Sequence, residues 1–322
     1  MMYMRNKSKI LVTGALGQIG IELTEALRQR HGWQNVLAAD IYPATAELQQ
    51  NGPYFKLDVL NKTMLGRMVC NLNIGQIYHL AAILSANGEA DRFRAWEINM
   101  QGLLNVLDVS RKYQMDKVFW PSSVAIFGPA SMRAACPQHV GGDPMTVYGI
   151  SKQAGEYWCR YYHEQYGLDV RSLRFPGLIS HSAKPGGGTT DYAVEIFHAA
   201  IDNGRYECYL KENTGLPMMY MPDAIRATLE LMETPKDNLT VRTSYNLAAI
   251  NFTPRELAAE ITKHIPEFKM LYNPDHRQRI ADSWPSSIDD RFARHEWGWR
   301  PKYKLADMVS DMLCHLRKEA YA

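Results

Sequence analysis

The fold is indicated by one short stretch, Thr13-Gly14-Ala15-Leu16-Gly17-Gln18-Ile19-Gly20. It follows a β-rich run at 9–13 and opens a segment with helical periodicity. Glycines allow the backbone to turn sharply and to approach a pyrophosphate, whose negative charge then lies on free N–H groups at the helix N-terminus. Alone, the stretch is equally compatible with an ordinary tight turn. Its place between a strand and a helix favours a dinucleotide site.

Strands and helices alternate through the first half of the chain. This alternation indicates βαβ units, and therefore a parallel sheet with helices on both faces and right-handed crossovers. The predicted class is a doubly wound α/β (Rossmann) fold. The runs typical of strands are 9–13, 35–40, 54–57, 76–80, 117–120 and 169–175. Two predicted apolar helix faces are Ile19, Leu23, Ala26 and Leu27, and Phe93, Trp96, Met100, Leu103, Leu104 and Leu107.

The alternation ends in a Pro- and Gly-rich stretch at 176–188. We therefore predict a dinucleotide-binding domain at 1–176, with a returning segment at about 218–250, and a smaller α+β substrate-binding region within 177–322. Pro222 is expected near the start of a helix at 223–232, and Thr253-Pro254-Arg255-Glu256 predicts a capping box. Apolar spacing at 305–316 predicts a final amphipathic helix.

Composition and charge exclude several classes of protein. Of the 322 residues, 46% are hydrophobic and 22% are charged, which is typical of a globular protein rather than a disordered one. The formal net charge of +2 is spread along the chain, so no basic stripe for nucleic acid is expected. The five cysteines lie far apart with no CxxC pair, which argues against a disulfide framework and a zinc site. No metal is predicted.

The longest mainly apolar stretch, at 77–86, is about half of the roughly 20 residues that cross a bilayer. A soluble protein without membrane contact is therefore expected. The cysteine usage is typical of a reducing compartment, and residues 1–9 resemble neither a signal peptide nor a transit peptide. These observations favour a cytoplasmic protein, with a removed organellar presequence as the alternative.

An acidic residue follows the glycine-rich stretch at a characteristic distance. Asp40 ends the second predicted strand and lies about 20 residues beyond Gly20. A carboxylate there accepts hydrogen bonds from both ribose hydroxyls of an adenosine and repels a 2′-phosphate. The pattern therefore favours NAD over NADP. The alternative is that Asp40 only caps the turn after the strand.

Tyr148 and Lys152 lie four residues apart in a segment that reads as helix. Side chains at this spacing share one helix face. The ordinary tyrosine pKa, near 10, is too high for a base at neutral pH, and a nearby cation favours the phenolate. Taken alone, the pair is more typical of a solvated helix surface.

Ser122 and Ser123 follow the predicted strand at 117–120. Ligands of open α/β sheets bind at the carboxyl ends of the strands, so a hydroxyl here is expected to point towards the cofactor crevice. Taken alone, two serines after a strand are more typical of a turn. The order of the glycine-rich stretch, Ser123 and the Tyr148–Lys152 pair favours a single oxidoreductase site.

Together these residues resemble the extended short-chain dehydrogenase/reductase family, which includes nucleotide-sugar epimerases and dehydratases. The matching features are TGxxGxxG, a serine before a YxxxK pair, and His79-Leu80-Ala81-Ala82 after the fourth strand. The resemblance covers essentially the whole chain and implies NAD as cofactor. The residues implied to contact or flank NAD are Gly14, Gly17, Gln18, Ile19, Asp40, Asp58, Val59, Leu80, Ala81, Ala82, Asn99, Tyr148, Lys152 and Leu178.

Three other segments resemble the short-chain type of L-threonine 3-dehydrogenase within that family. They are GGGTTDYA at 186–193, MYMPDA at 219–224 and IADSWP at 280–285, and the insert at 83–88 resembles that group's active-site loop. The resemblance implies oxidation of the 3-hydroxyl of L-threonine to 2-amino-3-oxobutanoate. Tyr148 would then be the base, and Lys152 and Ser123 would be the other catalytic residues. The implied substrate contacts are Ser85, Ser123, Tyr148, Thr189 and Thr190.

The resemblance also implies partners. Family members pair through two helices that correspond here to 91–113 and 148–166, so a homodimer is expected. Aromatic side chains at Tyr157, Trp158, Tyr161 and Tyr162 suit either packing within the chain or such an interface. Because 2-amino-3-oxobutanoate readily decarboxylates, a coenzyme A-dependent ligase is expected to consume it.

Two other functions compete with this interpretation. A nucleotide-sugar 4-epimerase or 4,6-dehydratase uses the same tyrosine but keeps its NAD tightly bound and returns the hydride. A catalytically silent nucleotide sensor is the alternative from another class, but such proteins typically lack the tyrosine or the lysine, and this sequence has both.

Overall fold

The structure, a computed structural model, describes residues 9–44, 51–182, 186 and 188–320. Residues 1–8, Gly187 and part of the predicted loop at 176–188 lie outside the described residues. The strands are β1 Lys9–Thr13, β2 Val36–Asp40, β3 Tyr54–Lys56, β4 Ile74–His79, β5 Lys117–Phe119, β6 Ser122–Ser123, β7 Val170–Arg171, β8 Leu173–Phe175, β9 Gly177–Ile179, β10 Arg205–Cys208, β11 Leu216–Tyr220, β12 Tyr245–Asn246, β13 Ile250–Phe252 and β14 Lys269–Tyr272.

Helices connect and cover these strands. In chain order they are α1 Gln18–His31, α2 Lys62–Asn71, α3 Ser85–Ala90, α4 Arg92–Trp96, α5 Gly102–Lys112, α6 Val147–Tyr166, α7 Tyr192–Asn203, α8 Met221–Glu233, α9 Pro254–Thr262, α10 Arg277–Ser283, α11 Arg291–Glu296 and α12 Leu305–Ala320. A π-helical turn, Glu97–Gln101, joins α4 to α5 without a break.

The main sheet has six parallel strands in the order β3-β2-β1-β4-β5-β7. The strand order reverses between β1 and β4, which is the point where open α/β sheets bind ligands. Helices α1 and α8 pack on one face of the sheet, and α2, α5 and α6 pack on the other. The predicted doubly wound α/β fold is confirmed.

The predicted strand at 169–175 is wrong as a single element. The structure divides it at Ser172 into β7, which pairs with β5, and β8, which pairs with β6 and β12. The backbone of Ser172 accepts a hydrogen bond from Tyr245, and its side chain accepts one from Ser244. The run therefore changes partners instead of continuing in one sheet, which periodicity alone does not reveal.

The predicted apolar face of the long helix is also partly wrong. Met100, Leu103 and Leu107 are buried as expected, but Phe93 is 88% exposed and Trp96 is 42% exposed. The difference arises because α4 extends beyond the edge of the core that α5 covers.

The carboxyl-terminal part of the chain contributes to two cores. Helices α7, α9 and α12 pack with β11 in one hydrophobic cluster. Residues of α8 and β12 instead join β1 and α1 under the main sheet, together with Ala293 and Trp299. The proposed division into domains stays a prediction. It has to be consistent with the packing of C-terminal residues in both cores.

Of the two later helices with a predicted start, α9 begins where capping chemistry predicts and α8 begins earlier. Helix α9 has a complete capping box, in which Thr253 and Glu256 satisfy each other's backbone N–H groups. Helix α8 has Pro222 in its first turn but begins at Met221, earlier than predicted. Within the described ranges, none of the helices combines the length and the apolar character needed to cross a bilayer.

Candidate active site

A cleft lies at the carboxyl ends of β1 and β4 and contains about 1070 Å³ of space, including the solvent at its mouth. It brings together most of the residues that the sequence analysis selected. The selected residues that line it are Gly14, Gly17, Gln18, Ile19, Leu80, Ala82, Ser85, Ser123, Tyr148, Lys152, Leu178, Thr189 and Thr190.

The glycine-rich turn forms one end of the cleft. Gly14 has a φ of 72°, in the left-handed region that favours glycine, and a Cβ on Gly20 would lie 2.2 Å from the Gly14 carbonyl oxygen. Helix α1 therefore approaches β1 more closely than another residue allows. Gly17 supplies no side-chain cap, and the first turn of α1 has no acidic residue. The N–H groups at this helix end suit an anionic pyrophosphate.

Asp40 lies at the end of β2, outside the lining of the cleft. Its Oδ2 accepts a hydrogen bond from the backbone of Leu16 at 3.1 Å, which places the carboxylate beside the glycine-rich turn. Its Oδ1 also accepts a 3.4 Å hydrogen bond from the backbone of Tyr42. The turn-capping contact is thus present, and the carboxylate is also positioned next to the proposed dinucleotide site.

Three further selected residues do not line the cleft. Asp58 is exposed beyond β3 and accepts a hydrogen bond from the Leu60 backbone. Val59 is buried, and its carbonyl accepts a hydrogen bond from Asn105. Ala81 packs behind the glycine-rich turn, where its backbone nitrogen lies 2.6 Å from the position of a Cβ on Gly14.

Asn99 acts on the cleft through the loop that follows β4. The Asn99 side chain lies in the π-helical turn and is buried. It accepts a 2.8 Å hydrogen bond from the Ile83 N–H and donates one of 3.0 Å to the Ile83 carbonyl. It also donates a 3.3 Å hydrogen bond to Ser151 on α6. Asn99 therefore positions the loop against the helix that contains Tyr148.

The three candidate catalytic residues meet on one wall. Tyr148 and Lys152 lie on successive turns of α6, and the Ser123 hydroxyl lies close enough to Tyr148 to lower the pKa of its phenol. The Lys152 ammonium is 5.4 Å from the centre of the Tyr148 ring and donates a 2.5 Å hydrogen bond to the Pro121 carbonyl. It also lies 4.5 Å from the centre of the Trp120 ring. The spacing that predicted a shared helix face is present.

The expected lowering of the tyrosine pKa is not found in this structure. Burial raises the pKa of Tyr148 to about 12, and the nearby Ser123 hydroxyl offsets only part of that rise. Burial also lowers the pKa of Lys152 to about 7, although Cys159 and Glu156 favour its charged form. Desolvation outweighs the attraction between lysine and phenolate because both groups are shielded from water.

His79 is buried below this wall at the end of β4. Its Nδ1 hydrogen-bonds the Thr13 hydroxyl at 2.8 Å. Burial, reinforced by the nearby charge of Lys152, lowers the pKa of His79 to about 3. The imidazole is therefore neutral over the working pH range, which agrees with a packing role below the cofactor site rather than an acid–base role.

Hydroxyl groups line the other end of the cleft. Ser85 begins α3, and Thr189 and Thr190 precede α7. Ser85 and Thr189 are almost fully buried, and Thr190 is half-buried. These side chains come from segments about 100 residues apart and meet only in the folded chain.

Asp191 and Trp284 also line this end of the cleft, although neither was selected as a site residue. The Asp191 Oδ2 accepts a 2.7 Å hydrogen bond from the Gly188 N–H, and Trp284 follows α10 and is buried. Both lie in segments that carry the family resemblance, at 186–193 and 280–285. A further signal was available for Asp191, because a zwitterionic amino acid requires an acceptor for its ammonium group as well as donors for its carboxylate.

Comparisons with known proteins agree with this geometry. Residues 10–248 match the NAD dependent epimerase/dehydratase family. The chain is 47% identical over 309 residues to a mitochondrial L-threonine 3-dehydrogenase of Bos taurus, covering 96% of this chain and 82% of that one. It is 48% identical to an uncharacterized epimerase/dehydratase of Staphylococcus haemolyticus, covering 95% of this chain and 96% of that one.

A solved structure is also similar. The holo form of a GalE-like L-threonine dehydrogenase from Cupriavidus necator has a TM-score of 0.93 and is 53% identical, and the match covers 96% of this chain and 99% of that one.

Proposed function

The chain belongs to the NAD dependent epimerase/dehydratase family, and from that premise we propose that it oxidises the 3-hydroxyl of L-threonine to 2-amino-3-oxobutanoate. The cofactor is NAD. The relatives named L-threonine dehydrogenase resemble the chain over nearly its whole length. Their activity supports this substrate over the other alcohols that the family oxidises.

The observation that carries the proposal is the chemistry of the far end of the cleft. Beyond Ser123 and Tyr148, this end of the cleft has three hydroxyls and the Asp191 carboxylate. Among the described residues that line the whole cleft, Lys152 is the sole cation. A nucleoside diphosphate sugar brings a second pyrophosphate, which proteins usually hold with arginine or lysine. A small zwitterionic amino acid fits this lining better.

In the proposed reaction Tyr148 accepts the proton of the substrate 3-hydroxyl. Ser123, which lines the cleft beside Tyr148, holds that hydroxyl in line with the phenol oxygen. Lys152, when charged, stabilises the phenolate that must form before proton transfer. When bound, NAD would supply the acceptor for the hydride that leaves the carbon bearing the 3-hydroxyl.

The substrate is held through both of its charges. Ser85, Thr189 and Thr190 are proposed to donate hydrogen bonds to its carboxylate, with Thr190 the least buried of the three. Asp191 is proposed to accept from its ammonium group. Hydrogen bonds to charged groups each contribute about 1.5–3 kcal/mol, so this set is sufficient to orient a small molecule.

At the cofactor end of the cleft, backbone N–H groups rather than charged side chains are available to bind the pyrophosphate. We propose that the N–H groups of the Gly14–Gly17 turn and the start of α1 hold the pyrophosphate, and that Asp40 accepts from the adenosine ribose. Leu80, Ala82 and Leu178 line the remaining cofactor surface. Asp58 and Val59 are proposed to flank the adenine, and Ala81 and Asn99 to support the nicotinamide side.

An absorbance assay of NADH formation tests the function. With NAD and L-threonine we expect NADH to accumulate over many turnovers. UDP-glucose and UDP-galactose, as matched alternatives, are expected to yield none. Sugar epimerisation without net NADH would refute the proposal in favour of an epimerase, and NAD binding without turnover on any substrate would favour a nucleotide sensor.

We also propose a homodimer through α4, α5 and α6. Phe93, Trp96, Tyr157, Trp158 and Tyr161 are exposed on these helices. Aromatic side chains are enriched at protein interfaces, and exposed aromatics in this number are unusual on a monomer. Light scattering at micromolar concentration is expected to give twice the mass of the chain, and a monomer would refute this arrangement.

The proposal also concerns the enzyme that consumes the product and the compartment in which the protein acts. A 2-amino-3-oxo acid loses carbon dioxide readily, so a coenzyme A-dependent ligase is the class of enzyme proposed to consume it. Cys136, Cys159, Cys208 and Cys314 are free thiols, and Cys314 is exposed, which supports a reducing location such as the cytoplasm. Incubation of the two enzymes together is expected to increase the yield of the ligase product.

A further inference from the structure

A buried ion pair lies directly behind the candidate catalytic residues. Glu156 occurs on α6 one turn after Lys152 and pairs with Arg174 of β8. The Arg174 Nε donates to Glu156 Oε1 at 2.9 Å, and its Nη2 donates to Oε2 at 2.7 Å. Both side chains are almost completely shielded from solvent. This bidentate geometry fixes the orientation of the two groups as well as their separation.

The Glu156 carboxylate also reaches the wall of the cleft. Its Oε1 accepts a 2.6 Å hydrogen bond from the hydroxyl of Ser122, the residue before Ser123. One turn earlier on α6, Lys152 holds the carbonyl of Pro121. Consecutive turns of the helix therefore hold consecutive residues of the segment that presents Ser123 to Tyr148.

Arg174 connects the same segment to the rest of the cleft. In the β6–β8 pair Ser122 lies opposite Arg174, and Ser123 lies opposite Phe175, which lines the cleft. The Arg174 Nη1 donates to the Gln138 carbonyl at 2.8 Å and to Asn246 Oδ1 at 3.0 Å. The ion pair thus lies where α6, β6 and β8 meet.

Stability alone does not account for this arrangement. Removing two charges from water is costly, and apolar residues of similar size often stabilise a fold as well as a buried ion pair does. An apolar pair, however, supplies no acceptor to Ser122 and no charge near Lys152.

We propose that Glu156 and Arg174 are positioning residues, which hold Ser123 against Tyr148 and place a negative charge one helical turn from the Lys152 ammonium. The inference rests on the proposed dehydrogenation, because it concerns the geometry of the same site.

The charge of Glu156 has a consequence for the pH dependence. Glu156 opposes the effect of burial on the pKa of Lys152, so its loss lowers the affinity of the Tyr148–Lys152 pair for protons. His79 and Cys159 are the other titratable groups near Lys152, and burial keeps both neutral by lowering the pKa of His79 and raising that of Cys159. Arg174 is the ion-pair partner of Glu156, so loss of both side chains leaves the net charge behind Lys152 unchanged.

Three variants separate position from charge. Ser122→Ala removes the hydrogen bond to the cleft wall but leaves both charges. Glu156→Gln removes one charge and leaves Arg174 unpaired. Glu156→Gln with Arg174→Gln removes the pair without changing the net charge, so it stays informative where the single variant fails to fold.

A second ion pair, at the start of the run 169–175 that contains β7 and β8, provides a matched control. Asp169 and Arg171 form a second bidentate ion pair with little exposure, and Arg171 also donates to the backbone of α8. The double variant Asp169→Asn with Arg171→Gln removes a comparable pair whose side-chain hydrogen bonds go to β7, α8 and Arg242 rather than to Ser122 or Ser123. It is expected to lower thermal stability without altering the pH profile.

The expected results differ for each variant. Ser122→Ala lowers kcat about tenfold with no shift of the profile, because a small displacement of reacting groups is costly. Glu156→Gln lowers the kcat plateau and moves the acid limb about one pH unit lower. The double variant Glu156→Gln with Arg174→Gln keeps the lower kcat, but its acid limb returns to the wild-type pH. The KM for NAD stays within about twofold of wild type in Ser122→Ala, Glu156→Gln and this double variant.

Two results overturn the inference. One is a wild-type kcat in both Ser122→Ala and the double variant Glu156→Gln with Arg174→Gln. The other is a control pair that alters kcat and pH profile in the same way as the Glu156 variants. Loss of folding in Glu156→Gln alone leaves these two comparisons intact.

Failure of the proposed function is recognised separately. If the wild-type protein does not oxidise L-threonine, a crystal structure of Ser122→Ala tests the positioning role without turnover. The inference predicts that the Ser123 hydroxyl lies farther from the Tyr148 phenol oxygen than in a crystal structure of the wild-type protein, and an unchanged separation overturns it.

Discussion

The two ends of the cleft are built differently. The cofactor end is made by one contiguous turn, in which Gly14 and Gly20 allow α1 to approach β1 and leave backbone N–H groups for an anion. The substrate end is made by side chains from distant segments, among them Ser85, Thr189 and Trp284. Recognition by backbone requires a local sequence pattern, whereas recognition by side chains requires only that the folded chain bring them together.

This difference makes the two ends separately testable. Changes at the substrate end are expected to alter turnover or the KM for L-threonine, and changes at the cofactor end are expected to alter the affinity for NAD. A variant that affects both equally would show that the two ends are coupled.

The largest effect is expected for Tyr148→Phe. The variant removes the proposed base and leaves the glycine-rich turn intact, so kcat is expected to fall about 10²- to 10⁴-fold. The Kd for NAD, measured by fluorescence titration, should stay within about twofold. Turnover at the wild-type rate would show that another group accepts the proton.

Gly20→Ala is expected to act at the cofactor end. Its Cβ would lie 2.2 Å from the Gly14 carbonyl oxygen, so helix and turn must separate. Overpacking of this kind costs about 1–3 kcal/mol of stability and should weaken NAD binding by tenfold or more. Gly141→Ala is the control, because a Cβ there meets nothing within 4 Å. Equal Tm and Kd values in the two variants would contradict the close-approach argument.

Asp191→Asn tests recognition of the substrate ammonium. Asparagine keeps an acceptor for the Gly188 N–H but removes the charge. The KM for L-threonine is expected to rise about 10- to 100-fold, the loss of one charge-assisted hydrogen bond, with an unchanged KM for NAD. Asp202→Asn, at an exposed position of α7, provides the control. An unaltered KM for L-threonine would assign ammonium recognition elsewhere.

The smallest effect is expected for Asp40→Asn. The amide oxygen still accepts from the backbone of Leu16, but the charge that repels a 2′-phosphate is lost. The preference for NAD over NADP, measured as the ratio of kcat/KM values, should fall about tenfold. A preference equal to that of wild type would support the turn-capping interpretation of Asp40.

The doubly wound class of the main sheet and the cofactor turn were predictable from local patterns. Period, glycine spacing and the place of Asp40 are properties of short segments, and parallel strands with right-handed crossovers leave few topologies. The cap of α9 was predictable for the same reason, since Thr253 and Glu256 are only three residues apart.

Long-range packing decided the remaining features. Periodicity could not show that the run at 169–175 changes partners at Ser172, because the partners Tyr245 and Ser244 lie about 70 residues later. It assigned Phe93 and Trp96 to a buried face because it does not report where the core ends. The i,i+4 spacing placed Tyr148 beside Lys152, but only burial in the folded chain shows that desolvation raises the pKa of the phenol and lowers that of the amine. A local pattern specifies which groups are neighbours along an element, and the surrounding fold sets how much water reaches them.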